Sequence, residues 1–113
     1  MKEFLNKKHI SGTVSEYSAV NKLLQLGFLV FKNVAQHGLI DIIAISPKNE
    51  TFRIDVKTIS RRTKKTNYRE EGDRIYRTPS SEQKKYDVVL MIVDRDEFKI
   101  HPTRSKLSKW LKL

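Results

Sequence analysis

The run LIDIIAIS at residues 39–46 constrains this chain most. It has the length of a strand and is apolar at nearly every position. A strand like that is covered on both faces, as expected at the centre of a sheet layered with helices. A second run, DVVLMIVD at 87–94, has the same character. Both are far too short to cross a bilayer, which takes about 20 apolar residues. One acid, Asp41, interrupts the first run. A buried, unpaired carboxylate is costly, so Asp41 belongs at the solvent edge of its strand or beside a cation.

The other elements follow from periodicity. Residues 13–26, TVSEYSAVNKLLQL, show a helical stripe at 17, 20, 23, 24 and 26. Thr13 followed by Glu16 has the form of a capping box, and Gly27 is a natural stop. Residues 28–34 read as a strand, and TFRIDVKTIS at 51–60 as another, with short turns that predict an antiparallel meander. In 51–60, Phe52, Ile54 and Val56 alternate with Arg53, Asp55 and Lys57. A short helix is expected from Pro79 or Ser80 to about Lys85, then the 87–94 strand, an edge strand in EFKIHP and a closing helix in TRSKLSKWLKL. The order αβββαβ, with β and α appended, predicts an α/β fold with a mixed sheet flanked by helices, in one domain spanning 1–113.

Charge narrows the partners. The chain has 23 Lys and Arg against 13 Asp and Glu, a net charge of +10. A small domain this basic usually meets a polyanion, with nucleic acid first and an anionic membrane surface a lesser alternative. Eight basic residues fall between Lys57 and Arg77 against three acids. Of these, Arg61, Arg62, Lys64, Lys65, Arg69, Arg74 and Arg77 suit phosphate contacts, and the interleaved Tyr68 and Tyr76 suit base stacking. Cysteine is absent, which excludes disulfides and thiolate chemistry and is compatible with the cytoplasm. MKEFLNKKHI lacks the apolar core of a signal peptide.

Four residues carry the chemistry. Asp55 and Lys57 share one side of their strand, which alone describes the wet face of an amphipathic strand. Glu16 is explained by the capping box, yet it lies along the apolar face with Ala19, Val20 and Leu23. Together with Asp41 they mean more. Adjacent antiparallel strands can set Asp41 beside Asp55, forming a hard oxygen site for Mg²⁺, with Mn²⁺ as the substitute. Such an ion acts on phosphodiesters, and Lys57 is placed to orient water or offset transition-state charge. The rival reading is a non-catalytic nucleic-acid-binding module in which these acids are structural. Convergence of Asp41 and Asp55 discriminates the two.

These pieces resemble the PD-(D/E)XK nuclease superfamily: the inward Glu16, Asp41 opening the second strand, and Asp-x-Lys at 55–57 after a gap of thirteen residues. The likeness covers about 12–60 and extends weakly to SEQKKYDVVLMIV, where Gln83 stands at a polar helix position near the site. Ile40 replaces the motif proline, and Asp55 stands where Glu is commoner. The resemblance implies a Mg²⁺-dependent DNA endonuclease with Asp41, Asp55 and Glu16 as ligands and Lys57 as a catalytic residue. Two branches look similar: archaeal-type Holliday junction resolvases, which act on branched DNA as homodimers, and homing or restriction-like endonucleases that cut specific duplex sites. The small size of the chain favours the first.

Overall fold

The computed structural model describes residues 7–35, 38–61, 74–75 and 78–112, with backbone alone at 8, 60–61 and 74–75. The chain forms α1 (Lys7–Gln25), β1 (Leu29–Lys32), β2 (Ile42–Ile45), β3 (Thr51–Thr58), β4 (Ser60–Arg61), β5 (Arg74–Ile75), α2 (Ser81–Lys85), β6 (Val88–Asp94), β7 (Glu97–His101) and α3 (Lys106–Trp110). The sheet order is β1-β2-β3-β6-β7, with β4 and β5 paired separately. Neighbours are antiparallel except β3 and β6, which run parallel. The α/β class, the meander of three strands and the crossover to the 87–94 strand match the sequence expectation.

Three details differ. Helix α1 begins at Lys7, six residues before Thr13. Thr13 is therefore interior, and its hydroxyl donates to the His9 carbonyl at 3.0 Å rather than capping. The capping-box reading of Thr13 and Glu16 fails. Gly12 obscured the earlier turns, but it lies in open space within the helix. Gly27 does end the helix: at φ 87°, it lets the Phe28 amide reach the Leu23 carbonyl at 3.0 Å. Second, only Ile42–Ile45 of the 39–46 run form β2, one strand in from the edge and with Ile43 exposed on its outer face; β3 is the central strand. Third, the 59–78 stretch is not all loop, since β4 pairs with β5.

Register divides the sheet into two faces. Ile42 pairs with Ile54, Ile54 with Val89, and Met91 with Ile100, so these share one face. That face, with Ala44, Phe52 and Val93, packs against Ala19 and Leu23 of α1, and Leu107 of α3 joins the same core. Trp110 closes one end, edge-on to Phe28 at 5.2 Å between ring centroids, while its Nε1 donates to Glu50 at 2.9 Å. Trp110 thus packs, partly buried, against the core. The opposite face of β3 carries Arg53, Asp55 and Lys57, and α2 packs beside β6 next to them. No helix among the described residues is long and apolar enough to cross a membrane.

Candidate active site

The site grows from the centre of β3. Asp55 has β2 on one side and β6 on the other, and only 4% of it is exposed. A carboxylate at such a position requires partners. Two are present: Gln83 Nε2 donates to Asp55 Oδ2 at 2.8 Å, and Lys57 Nζ lies 3.4 Å from the same oxygen. The two-residue strand period puts Lys57 on the Asp55 side, as read from the sequence.

Asp41 comes from the neighbouring strand. Ile42 pairs with Ile54, so the residue before it falls opposite Asp55. The Asp41 amide donates to the Ile54 carbonyl at 2.9 Å, and Asp41 Oδ2 accepts the Val56 amide at 2.8 Å. The side chain thus stands in for a strand carbonyl where β2 begins. Half-buried, Asp41 lies beside Asp55 closely enough for the two carboxylates to act on each other. Its carboxyl is pushed up to about 6, first by burial and then by Asp55, against the opposing pull of the Val56 amide. The first two acids of the sequence expectation therefore converge.

Glu16 stands to one side. It projects from α1 and pairs with Lys32 of β1 at 3.1 Å. Lys32 also lies 4.8 Å from the Tyr17 ring centroid, and its pKa is raised chiefly by Glu16. The charge of Glu16 still adds to the upward push on Asp41. Among the described residues no three acids or histidines stand within joint metal reach, so the carboxylate pair is Asp41 and Asp55.

Four hydrogen bonds place Gln83, three of them through its side chain. Ser80 caps α2 by accepting the Gln83 amide, and Gln83 Oε1 accepts the Ser80 amide at 3.0 Å, which makes the capping box this chain does contain. The two hydrogens of Nε2 go to Asp55 and to the Leu39 carbonyl, the latter at 3.3 Å. With its oxygen committed to Ser80, the amide can only present a donor to Asp55.

Two positioning residues escape a sequence reading. Asn33 Nδ2 donates to the Ile40 carbonyl and Asn33 Oδ1 accepts the Ala35 amide, both at 2.9 Å, while the Asn33 amide donates to the Asp41 carbonyl at 2.8 Å. This clasp fixes the chain entering Asp41. Lys32 is the other, since no spacing links it to Glu16. Of the basic loop, Arg62, Lys64, Lys65, Tyr68, Arg69, Tyr76 and Arg77 lie outside the described residues, while Arg61 and Arg74 are placed by backbone on β4 and β5.

No family model matches the chain, and no curated relative does. Among solved structures it is similar to a bacterial homing endonuclease, I-Ssp6803I, with 15% sequence identity and a TM-score of 0.60 over 96% of this chain and 74% of that one. At that identity the likeness is one of fold: a five-stranded mixed sheet with flanking helices, on which this chain places Asp41, Asp55, Lys57 and Gln83 together.

Proposed function

We propose that this protein is a metal-dependent DNA endonuclease of the PD-(D/E)XK type. The observation that carries the proposal is the meeting of Asp41 and Asp55, with Lys57 Nζ 3.4 Å from Asp55 Oδ2. The donor set fits Mg²⁺ or Mn²⁺: Asp41 and Asp55 are two hard carboxylates on adjoining strand positions, and burial together with the Asp55 charge pushes Asp41 up. When bound, such an ion supplies charge stabilisation to the phosphodiester and acidifies water. Asp41 and Asp55 would hold it. Lys57, about two-fifths exposed, is free to leave Asp55 for a phosphate oxygen or to orient water. Gln83 keeps Asp55 aimed into the site, and Glu16, held by Lys32, adds negative charge beside Asp41.

The fold likeness to a homing endonuclease favours cleavage of specific duplex sites over branched DNA. The net charge of +10 suits either substrate. The deciding experiment incubates labelled linear duplex, four-way junction and single strand with Mg²⁺, beside Asp55→Asn. Cleavage lost in the variant supports the mechanism, and cleavage surviving it sinks the mechanism. Cutting of junctions irrespective of sequence, with duplex left intact, would restore the resolvase-like reading.

A further inference from the structure

We infer that a cleft at the end of the sheet where β3 and β6 begin, apart from the acidic pair, binds a nucleoside phosphate. The cleft lies between α2 and the turn leading into α3 and measures about 700 Å³. That size suits one small ligand, since such clefts run to roughly 300–1,000 Å³. Thr51 marks its β3 edge, four residues before Asp55. At ~3.3 Å per residue the two are about 13 Å apart along the strand. Helix α2 stands between: Gln83 reaches Asp55, while its neighbour Lys84 lines the cleft.

The lining divides by chemistry. Phe52, Val88 and Val89 make an apolar floor, flanked by Pro79 and Pro102. Lys84, Arg104 and Lys106 stand at the opening, all exposed. Among the described residues no ion pair engages any of the three. Glu50 feels the charge of Lys106, but its carboxylate is committed to Trp110 and Ser46. Like charges gathered round one opening repel each other and draw in an anion that the chain does not supply.

The ligand follows from these groups. Asp87 is the acid of the cleft, so three cations less one acid leave it a charge of +2. A phosphate, at about −1.5 to −2, matches that better than a single carboxylate does. Ionised Asp87 only accepts hydrogen bonds and calls for a donor on the ligand, such as a sugar hydroxyl. An apolar body for the floor, a phosphate for the cations and a donor for Asp87 together describe a nucleoside phosphate. It could come as a free nucleotide or as one unit of a strand.

Amide-resolved NMR titration of the full chain, with a chelator present, tests this by binding alone, so its outcome is separate from that of the nuclease reading. Thymidine 5′-monophosphate should shift the amides of Thr51, Asp87 and Ser105 and leave that of Asp41 in place. Thymidine and inorganic phosphate, the two halves of that probe, should each bind about tenfold more weakly or worse. Lys84→Gln with Arg104→Gln should cost about tenfold or more in affinity, with melting unchanged because both side chains are exposed. Lys106→Gln alone should cost less but measurably, which keeps the test alive if the double variant unfolds. Lys99→Gln, outside the cleft, should bind as the wild type does. A 5′-phosphorylated pentathymidylate binding more tightly than the mononucleotide assigns the cleft to a strand, and equal affinity assigns it to a free nucleotide. Unmoved cleft amides, inorganic phosphate binding as well as the nucleotide, or full affinity in both cleft variants would each overturn the proposal.

Discussion

Asp41 Oδ2 accepts the Val56 amide at 2.8 Å while Asp55, opposite it across the β2–β3 pairing, pushes its carboxyl up. One side chain thus both completes the β2–β3 pairing and builds half of an acidic pair. Structure and chemistry share these atoms, which makes the consequences of substitution separable.

Asp55→Asn should keep the fold and lose the chemistry. Asn retains the volume, and its oxygen can still accept from Gln83, while the repulsion with Asp41 disappears. Cleavage is expected to fall by about 10²–10³-fold, with the melting temperature held or raised. Single-turnover cleavage and calorimetry on the same preparation check both halves.

The pH dependence of stability, measured with a chelator present, has a definite sign. The Asp41 carboxyl is at about 6 in the folded protein against 3.8 as the ordinary value. The folded state therefore holds the proton more tightly. Below the lower value both states are protonated and no penalty exists. Stability falls as pH rises through the window from 3.8 to about 6 and stays lower above it. Asp41→Asn should remove that slope and stabilise the protein at pH 7.5 but not at pH 3.5. Mg²⁺ at pH 7.5 should raise the melting temperature of the wild type and not that of the variant. Urea titrations across pH provide the test; a variant that keeps the wild-type slope would contradict it.

Gln83→Ala should act through Asp55. It strips a buried carboxylate of its 2.8 Å donor and leaves the Ser80 amide without its acceptor. A loss of about 1–3 kcal/mol follows from the unsatisfied groups. The Mg²⁺ concentration for half-maximal cleavage should rise about 10- to 100-fold, as when a group orienting a metal ligand is removed. Titrating Mg²⁺ against initial rate separates this from a simple loss of folded protein.

Asn33→Ala tests whether the β1–β2 connection positions Asp41. Two side-chain hydrogen bonds disappear, at 2.9 Å each. Each contributes about 1 kcal/mol, and each such loss lowers the melting temperature of a domain near this size by about 4–8 °C. Cleavage should drop as well, because the chain entering Asp41 loses its clasp. Full activity at a temperature where the variant is still folded would show that Asp41 holds its place unaided.

By itself the sequence determined the five main strands, the three-strand meander and the placing of Asp41 beside Asp55. Alternation in FRIDVK put Asp55 and Lys57 on one side, because strand side chains repeat every two residues. The interrupted run LIDIIAI marked Asp41, because an acid there must have a partner or solvent. Gln83 was legible only as a polar helix residue. Its bond to Asp55 depends on the parallel pairing of β3 with β6, which brings α2 to that face. The start of α1 was misread because a threonine that back-bonds to a carbonyl four residues earlier looks, in sequence, like one that caps. Tertiary structure alone decided that Glu16 pairs with Lys32, that Asn33 holds the approach to Asp41, and that Ile10, Val14, Tyr17 and Leu24 face outward. The physical reason is common to all three. Periodicity reports which residues share a face, but only the packing of elements distant in sequence decides what that face meets.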